Sequence, residues 1–480
     1  MAGITGIGSG MDIDSIVTAL VNAEKAPKEA QLARLEKSAT EKFSAIGQFK
    51  SAIGDFQTAL KDLNSATLFE KRTASSSNAT LATATATKSA VSGSYQLTVE
   101  SLATASKVAT KAVADDYVAG GNGSLTIKLG ADDAGVSVNV AAGDSLTKIR
   151  DSINAALGSK GISANIVRNP ADGASRLVLS GKETGDGQDI YIESSTAALD
   201  DFKIGSIDYS DPANPVGSMA SLDTASSSSS GFITQAKDAV FTIDGLSLKS
   251  ASNTVSDAIP EVTLNLLSAE PGKKFSVTVD QDRTGVKSNI KKFVDAYNKM
   301  MGVSKSLTSV VSVGEGKAPV AGALVGDSSV RSLISTVRNE LVRPAEQDGV
   351  RILADLGITT QNDGTLKIND TKLDKALSEN FESVAGFFTG DTGLMSRLNG
   401  KVEGFTQTGG ILEQRLSGLQ ETLTSVDKQR ESLTLRIQQI QTRLYKQFNA
   451  MDSLVGQLNQ TSDRLAQALS NLPGVVKKES

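Results

Sequence analysis

The two ends of this chain carry long helical seams and its middle does not, so segments several hundred residues apart must meet in space. Near the C-terminus apolar residues fall at Leu412, Leu416, Leu419, Leu423, Val426, Leu433, Ile437, Ile440 and Leu444, in alternating steps of four and three. That is the pattern of a coiled-coil seam. Arg430 occupies the one seam position that is not apolar, where its methylene stem can lie along the seam while its charge reaches water. The pattern slips at Phe448 and resumes through Met451, Val455, Leu458, Leu465, Leu469 and Leu472, a stutter that locally unwinds a supercoil. Neither Gly nor Pro interrupts the stretch from Leu419 to Val455, and Pro473 follows the last apolar residue. One helix of roughly 90 Å is predicted at 1.5 Å per residue.

The N-terminal segment supplies a partner. Ile46, Phe49, Ile53, Phe56, Leu60 and Leu63 step by three and four, preceded by Leu32, Leu35, Ala39 and Phe43. Pro27 is expected in the first turn of this helix. A shorter amphipathic stretch, Ile13, Ile16, Val17 and Leu20, precedes the proline and is opened by Asp12 or Asp14 as N-cap. Antiparallel pairing of the two terminal seams is the simplest arrangement. If the seams find partners only on assembly, the segments before about residue 70 and after about residue 405 are mobile in the isolated subunit.

The 480 residues contain no Cys, no Trp and no His. Without thiols and imidazoles, disulfides, thiol nucleophiles, histidine bases and nearly all zinc chemistry are removed together, and no metal or cofactor is expected. A hydrolase would need paired carboxylates; Asp12 and Asp14 are the one conspicuous pair, and helix capping explains them better. A net charge of −5 without a basic cluster argues against nucleic acid. Apolar runs are short and broken by charge, so no membrane span is predicted, and the N-terminus lacks the basic region of a signal peptide. The glycines at 3, 6, 8 and 10 follow no strand, which disfavours a phosphate loop.

After Leu68 the texture becomes β-like. The stretch YQLTVESLA reads as a strand, and from Leu125 the order is strand (LTIKL), strand (VSVNV), a helix opened by Asp144 (DSLTKIRDSINAAL), strand (ISANIV), a turn at Asp172-Gly173 and strand (RLVLSG). Residues 183–223 hold nine acidic side chains against one lysine, and Ser226 to Ser230 are uninterrupted serine; a loop-rich, mobile outer region is expected. A second strand-rich unit follows, with a hairpin turn at Asp244-Gly245 and alternation at Phe275, Val277 and Val279. Helical periodicity returns at Val286, Ile290, Phe293, Val294 and Tyr297, then at Val330, Leu333, Ile334 and Val337. The fold class is therefore α+β and multidomain, a terminal helical coiled-coil base carrying nested β-rich inserted domains. We divide it into a leg region (1–70 and 405–480), a helical domain completing the base (285–404), a β-rich plate (71–105 and 232–284) and an outer β-rich domain (106–231).

Several stretches resemble one family. Gly3-Ile4-Thr5-Gly6-Ile7-Gly8-Ser9-Gly10-Met11-Asp12-Ile13-Asp14 with SIVTALVNAEKAPKEAQLARLE, the segment FTIDGLSLKSASNTVSDAIPEVTLNLLSAEPG, and LADLGITTQNDGTLKINDTKLDKAL are similar to the bacterial flagellar filament cap proteins, the hook-associated protein 2 family. The module around GDSLTKIRDSINAAL resembles the repeat of flagellins and hook-associated proteins. The resemblance implies a secreted structural protein, exported through the flagellar type III channel, that forms a ring of about five copies at the filament tip and helps flagellin fold and insert. It also implies flagellin, the hook–filament junction protein and a cytoplasmic export chaperone as partners. The candidate assembly and partner-binding residues are Ile13, Ile16, Val17, Leu20, Leu454, Leu458, Leu465, Leu469 and Leu472. Alternatives are another axial protein of the flagellum, or adhesion of the outer domain to host mucin or glycan.

Overall fold

The computed structural model describes residues 10–470 except 212, 315 and 316. Its helices are α1 (Ile13–Leu63), α2 (Ala66–Glu70), α3 (Leu146–Leu157), α4 (Arg283–Thr308), α5 (Ser328–Val342), α6 (Asp370–Glu379), α7 (Phe381–Phe388), α8 (Leu394–Thr406) and α9 (Ile411–Ser470). The chain divides into a helical unit, residues 1–68 with 283–480, and a β-rich unit, residues 69–282.

In the helical unit the 3–4 spacing of the second half of α1 sets one apolar face inward. Ile46, Phe49, Ile53, Phe56, Leu60 and Leu63 are all at most 2% exposed, and this half packs on α4 and α8. Phe56 sits 5.9 Å from Phe293 and 6.0 Å from Tyr297, ring centre to ring centre. Each such burial contributes roughly 1.5–3 kcal/mol. Polar links tie α5 to its neighbours: Asp327 caps α5 by accepting from Ser329 N at 2.9 Å and also pairs with Arg415 of α9. Glu340 of α5, 6% exposed, takes Arg397 of α8 at 2.7 Å.

Two expectations change here. Helix α1 does not begin at Pro27 but runs from Ile13 straight through the proline. Proline costs an interior helix one backbone hydrogen bond, and the burial of Ile13, Val17 and Val21 on α9 holds the turns before it in line. Nor do the terminal segments lack partners: the second half of α1 is core, and Leu412, Val426 and Ile437 of α9 are buried within the same chain.

The β-rich unit has two cores. In the first, a five-stranded antiparallel sheet runs in the order Arg72–Ser76, Phe275–Gln281, Gly93–Ser101, Ala239–Ile243, Leu246–Ser250, with a second sheet of Thr254–Ile259, Val262–Leu266 and Ala82–Ala86. The first strand pairs with the last, Arg72 opposite Gln281, so the chain enters and leaves side by side. That is the geometry an insertion requires. The Asp244-Gly245 turn has φ of 51° and 86°, the two left-handed residues of a type I′ hairpin.

The second core repeats the device. Entry strand Ala105–Ala109 pairs with exit strand Gly231–Thr234, which completes a four-stranded sheet with Ser175–Thr184 and Ile162–Arg168. A three-stranded sheet of Val136–Val140, Gly123–Leu129 and Ile190–Ser194 belongs to the same core. Ile149, Ile153 and Leu157 of α3 are buried in that core.

Again the local reading needs correction. The cap of α3 is Ser145, whose Oγ accepts from Lys148 N at 3.3 Å, while Asp144 accepts from Ala141 N and closes the preceding turn. Residues 183–223 are not merely loops: Ile190, Ile192, Leu199, Phe202 and Ile204 are at most 1% exposed. The strand Ile190–Ser194 and the 3-10 turn Ala197–Phe202 carry four of these side chains inward, and Ile204 joins them by a bridge to Ile192; seven of the nine acids are exposed. The serine run is held as well, since Arg176 donates to the carbonyls of Thr110, Ser226 and Ser229.

Candidate functional site

The first third of α1 and the middle of α9 form an antiparallel pair. Ile13, Val17 and Val21, spaced four apart, bury against Ile437, with Leu433, Ile440, Leu444, Tyr445 and Phe448 completing the cluster. Direction follows from the polar contacts: Glu24 takes Arg436 at 2.9 Å and Glu36 takes Arg430 at 2.5 Å, so rising numbers on α1 meet falling numbers on α9. At the far end the Asp14 carboxylate accepts from the Tyr445 hydroxyl and pushes that phenol's pKa up. Asp12 opens α1 by accepting from Ser15 N at 3.0 Å, and the hydrogen bonds from Ser15 hold its carboxyl below the usual range.

Past Phe448 helix α9 continues without a comparable cover among the described residues. Leu454, Leu458, Leu465 and Leu469 are 57–60% exposed. Of the other candidate residues, Ile13 and Val17 are fully buried, Ile16 is half-buried and Leu20 is exposed. Leu472 and the glycines before Gly10 lie outside the described residues. The structure thus separates two groups: one already spent on the intramolecular seam, the other facing solvent. Sequence reasoning missed Val21, which the four-residue spacing from Ile13 and Val17 points to. It also missed Glu24 and Glu36, whose signal was opposite charge at facing antiparallel positions. Arg430 does not simply carry its charge to water; Glu36 receives it.

Among the described residues no group of acids could hold a metal ion, and no helix is long and apolar enough to cross a membrane. A cleft of about 440 Å³ beside Tyr297, Arg331 and Arg338 has no carboxylate in its lining. The arrangement is suited to helix packing.

Comparison with known proteins gives the lineage. Residues 9–106 match the flagellar hook-associated protein 2 N-terminus and residues 236–460 its C-terminus. The chain is 59% identical over 476 residues to the A-type flagellar hook-associated protein 2 of Pseudomonas aeruginosa, covering 99% of this chain and 98% of that one. It belongs to the flagellar hook-associated protein 2 family. The Escherichia coli K12 hook-associated protein 2 is 32% identical, covering 97% of each chain. A crystal structure of the flagellar cap protein FliD D1-D2-D3 domains from Escherichia coli superposes with a TM-score of 0.53 at 29% identity, covering 78% of this chain and 99% of that one. Residues 124–183 match the flagellin hook IN motif, which in this chain is the stretch from strand Gly123–Leu129 through α3 to strand Ser175–Thr184.

Proposed function

We propose that this protein caps the distal end of the bacterial flagellar filament, retaining exported flagellin and promoting its folding and insertion. It is a structural, non-enzymatic role. The observation that carries it is the solvent-facing leucine stripe of α9: Leu454, Leu458, Leu465 and Leu469 repeat at helical spacing over roughly 23 Å at 1.5 Å per residue. An apolar stripe of that length awaits a helical partner. The filament end, built from flagellin, is the partner after export; a small helical chaperone covers the stripe before it.

The subunit works as a ring of about five copies seated at the tip outside the cell, reached through the flagellar type III channel, with the hook–filament junction protein as its first platform. Within it, 1–70 and 405–480 serve as the leg, 285–404 completes the base, 71–105 with 232–284 forms a plate, and 106–231 forms the outer domain. The packing of α1 and the first part of α9 narrows the unpartnered leg to the distal part of α9. Nothing in the outer domain favours a mucin or glycan role. Deleting the gene for this chain tests the reading: flagellin should appear in the medium as monomer and filaments should be missing, whereas filaments of normal length in its absence would overturn it.

A further inference from the structure

Two chain segments join the plate to the outer domain, residues 103–105 going out and 234–238 coming back. They are bridged to each other, with Thr104 N donating to Lys237 O at 2.9 Å and Lys237 N to Thr104 O at 3.1 Å. A two-strand ribbon of this kind, alone, bends and twists. It is not alone here.

The turn between outer-domain strands Ser175–Thr184 and Ile190–Ser194 reaches across the junction. Asp186 N donates to Asp238 Oδ1 at 2.8 Å, and Asp238 N returns a longer bond to Asp186 Oδ1 at 3.4 Å. Asp189 Oδ1 accepts from Ala236 N at 2.9 Å. The same turn touches the plate beyond the ribbon: Thr184 Oγ1 donates to Ala251 O, and Lys249 of edge strand Leu246–Ser250 lies 3.8 Å from Asp186. Gly185 makes the close fit possible. Its φ is +110°, and a Cβ there would stand 2.7 Å from the Ala251 Cβ. On the plate side Asn253 grips Ala103 through both N–H and C=O, at 2.8 and 2.9 Å.

We propose that the turn at residues 184–189 is a strut that locks the outer domain to the plate as one rigid body, with Asp186 and Asp238 as its positioning residues. A third attachment on a different plate strand blocks the rotation that two adjacent linkers leave open. Load arriving at the outer domain then passes to the plate without flexing at residues 103–105 and 234–238. The inference concerns the β-rich unit itself and does not depend on what the protein caps.

The absence of native cysteine lets spin labels be placed at Ser163→Cys in the outer domain and Asp257→Cys in the plate, both exposed, in the full chain. Electron–electron distance measurement should give one narrow peak. Asp238→Ala should lose that single peak, and Asp238→Asn, which keeps an acceptor oxygen, should restore it with circular dichroism unchanged throughout. Thr184→Val with Lys249→Ala removes the plate contacts without touching the ribbon and should also broaden the peak. A broad distribution in the parent chain, or a native peak in both Asp238→Ala and the double variant, would overturn the proposal.

Discussion

Arg430 Nη2 of α9 lies 2.5 Å from Glu36 Oε2 of α1, at the one position of the C-terminal seam that is not apolar. Both side chains are more than a third exposed, so the pair adds little stability. A polar pair at a position of an otherwise apolar seam selects one register among several that leucines alone tolerate. Arg430→Leu should leave the melting temperature unchanged or raise it, while spin labels at Lys37→Cys and Lys428→Cys change from one distance to several. A lower melting temperature with a single distance would show that the pair stabilises without selecting.

The second half of α1 behaves as core. Phe56 is fully buried against Phe293 and Tyr297, and Phe56→Ala should destabilise the helical unit by about 3–5 kcal/mol. Calorimetry should show the helical transition moving down while the strand signal of the β-rich unit melts where it did. An unmoved transition would mean this half of α1 is not part of the folded base.

Acid should act at the start of α1. Bonds from Ser15 lower the folded pKa of Asp12 below its ordinary 3.8, so the group binds protons less readily folded than unfolded. Its contribution is complete above pH 3.8 and is lost as pH falls through the lower folded value. Amide exchange at Ser15 should therefore rise below that range. Asp12→Asn keeps an acceptor oxygen for Ser15 N and should hold exchange slow with no such pH step; a step that persists in the variant would assign it elsewhere.

Periodicity made both terminal helices legible because seams repeat over many turns, and Leu412 through Leu444 face inward as spaced. It failed where tertiary packing outweighed a local signal. Pro27 is tolerated because Ile13, Val17 and Val21 anchor the turns before it. Residues 183–223 read as loop-rich because acids dominate their composition, yet five apolar side chains among them fill a core, four from one short strand and a 3-10 turn and Ile204 from a bridge to Ile192. The strut at 184–189 has no sequence signature, since its side chains meet backbone groups and a lysine that lie about fifty or more residues away and come together only through the nested insertion. Exposure of Leu454 and Leu458, as against burial of Ile437, depends on where α1 begins, which pattern alone does not fix.

The central claim is that the exposed stripe of α9 seats the cap, and Leu458→Asp tests it most directly. Leu458 is 60% exposed, so a carboxylate there should leave the subunit's fold and circular dichroism unchanged, while burying that charge against a partner helix carries a heavy desolvation penalty. The account predicts that the variant is made and exported, that flagellin leaks into the medium as monomer, and that filaments are short or absent. Cells that build filaments of normal length with the Leu458→Asp protein confirmed at the tip would contradict it.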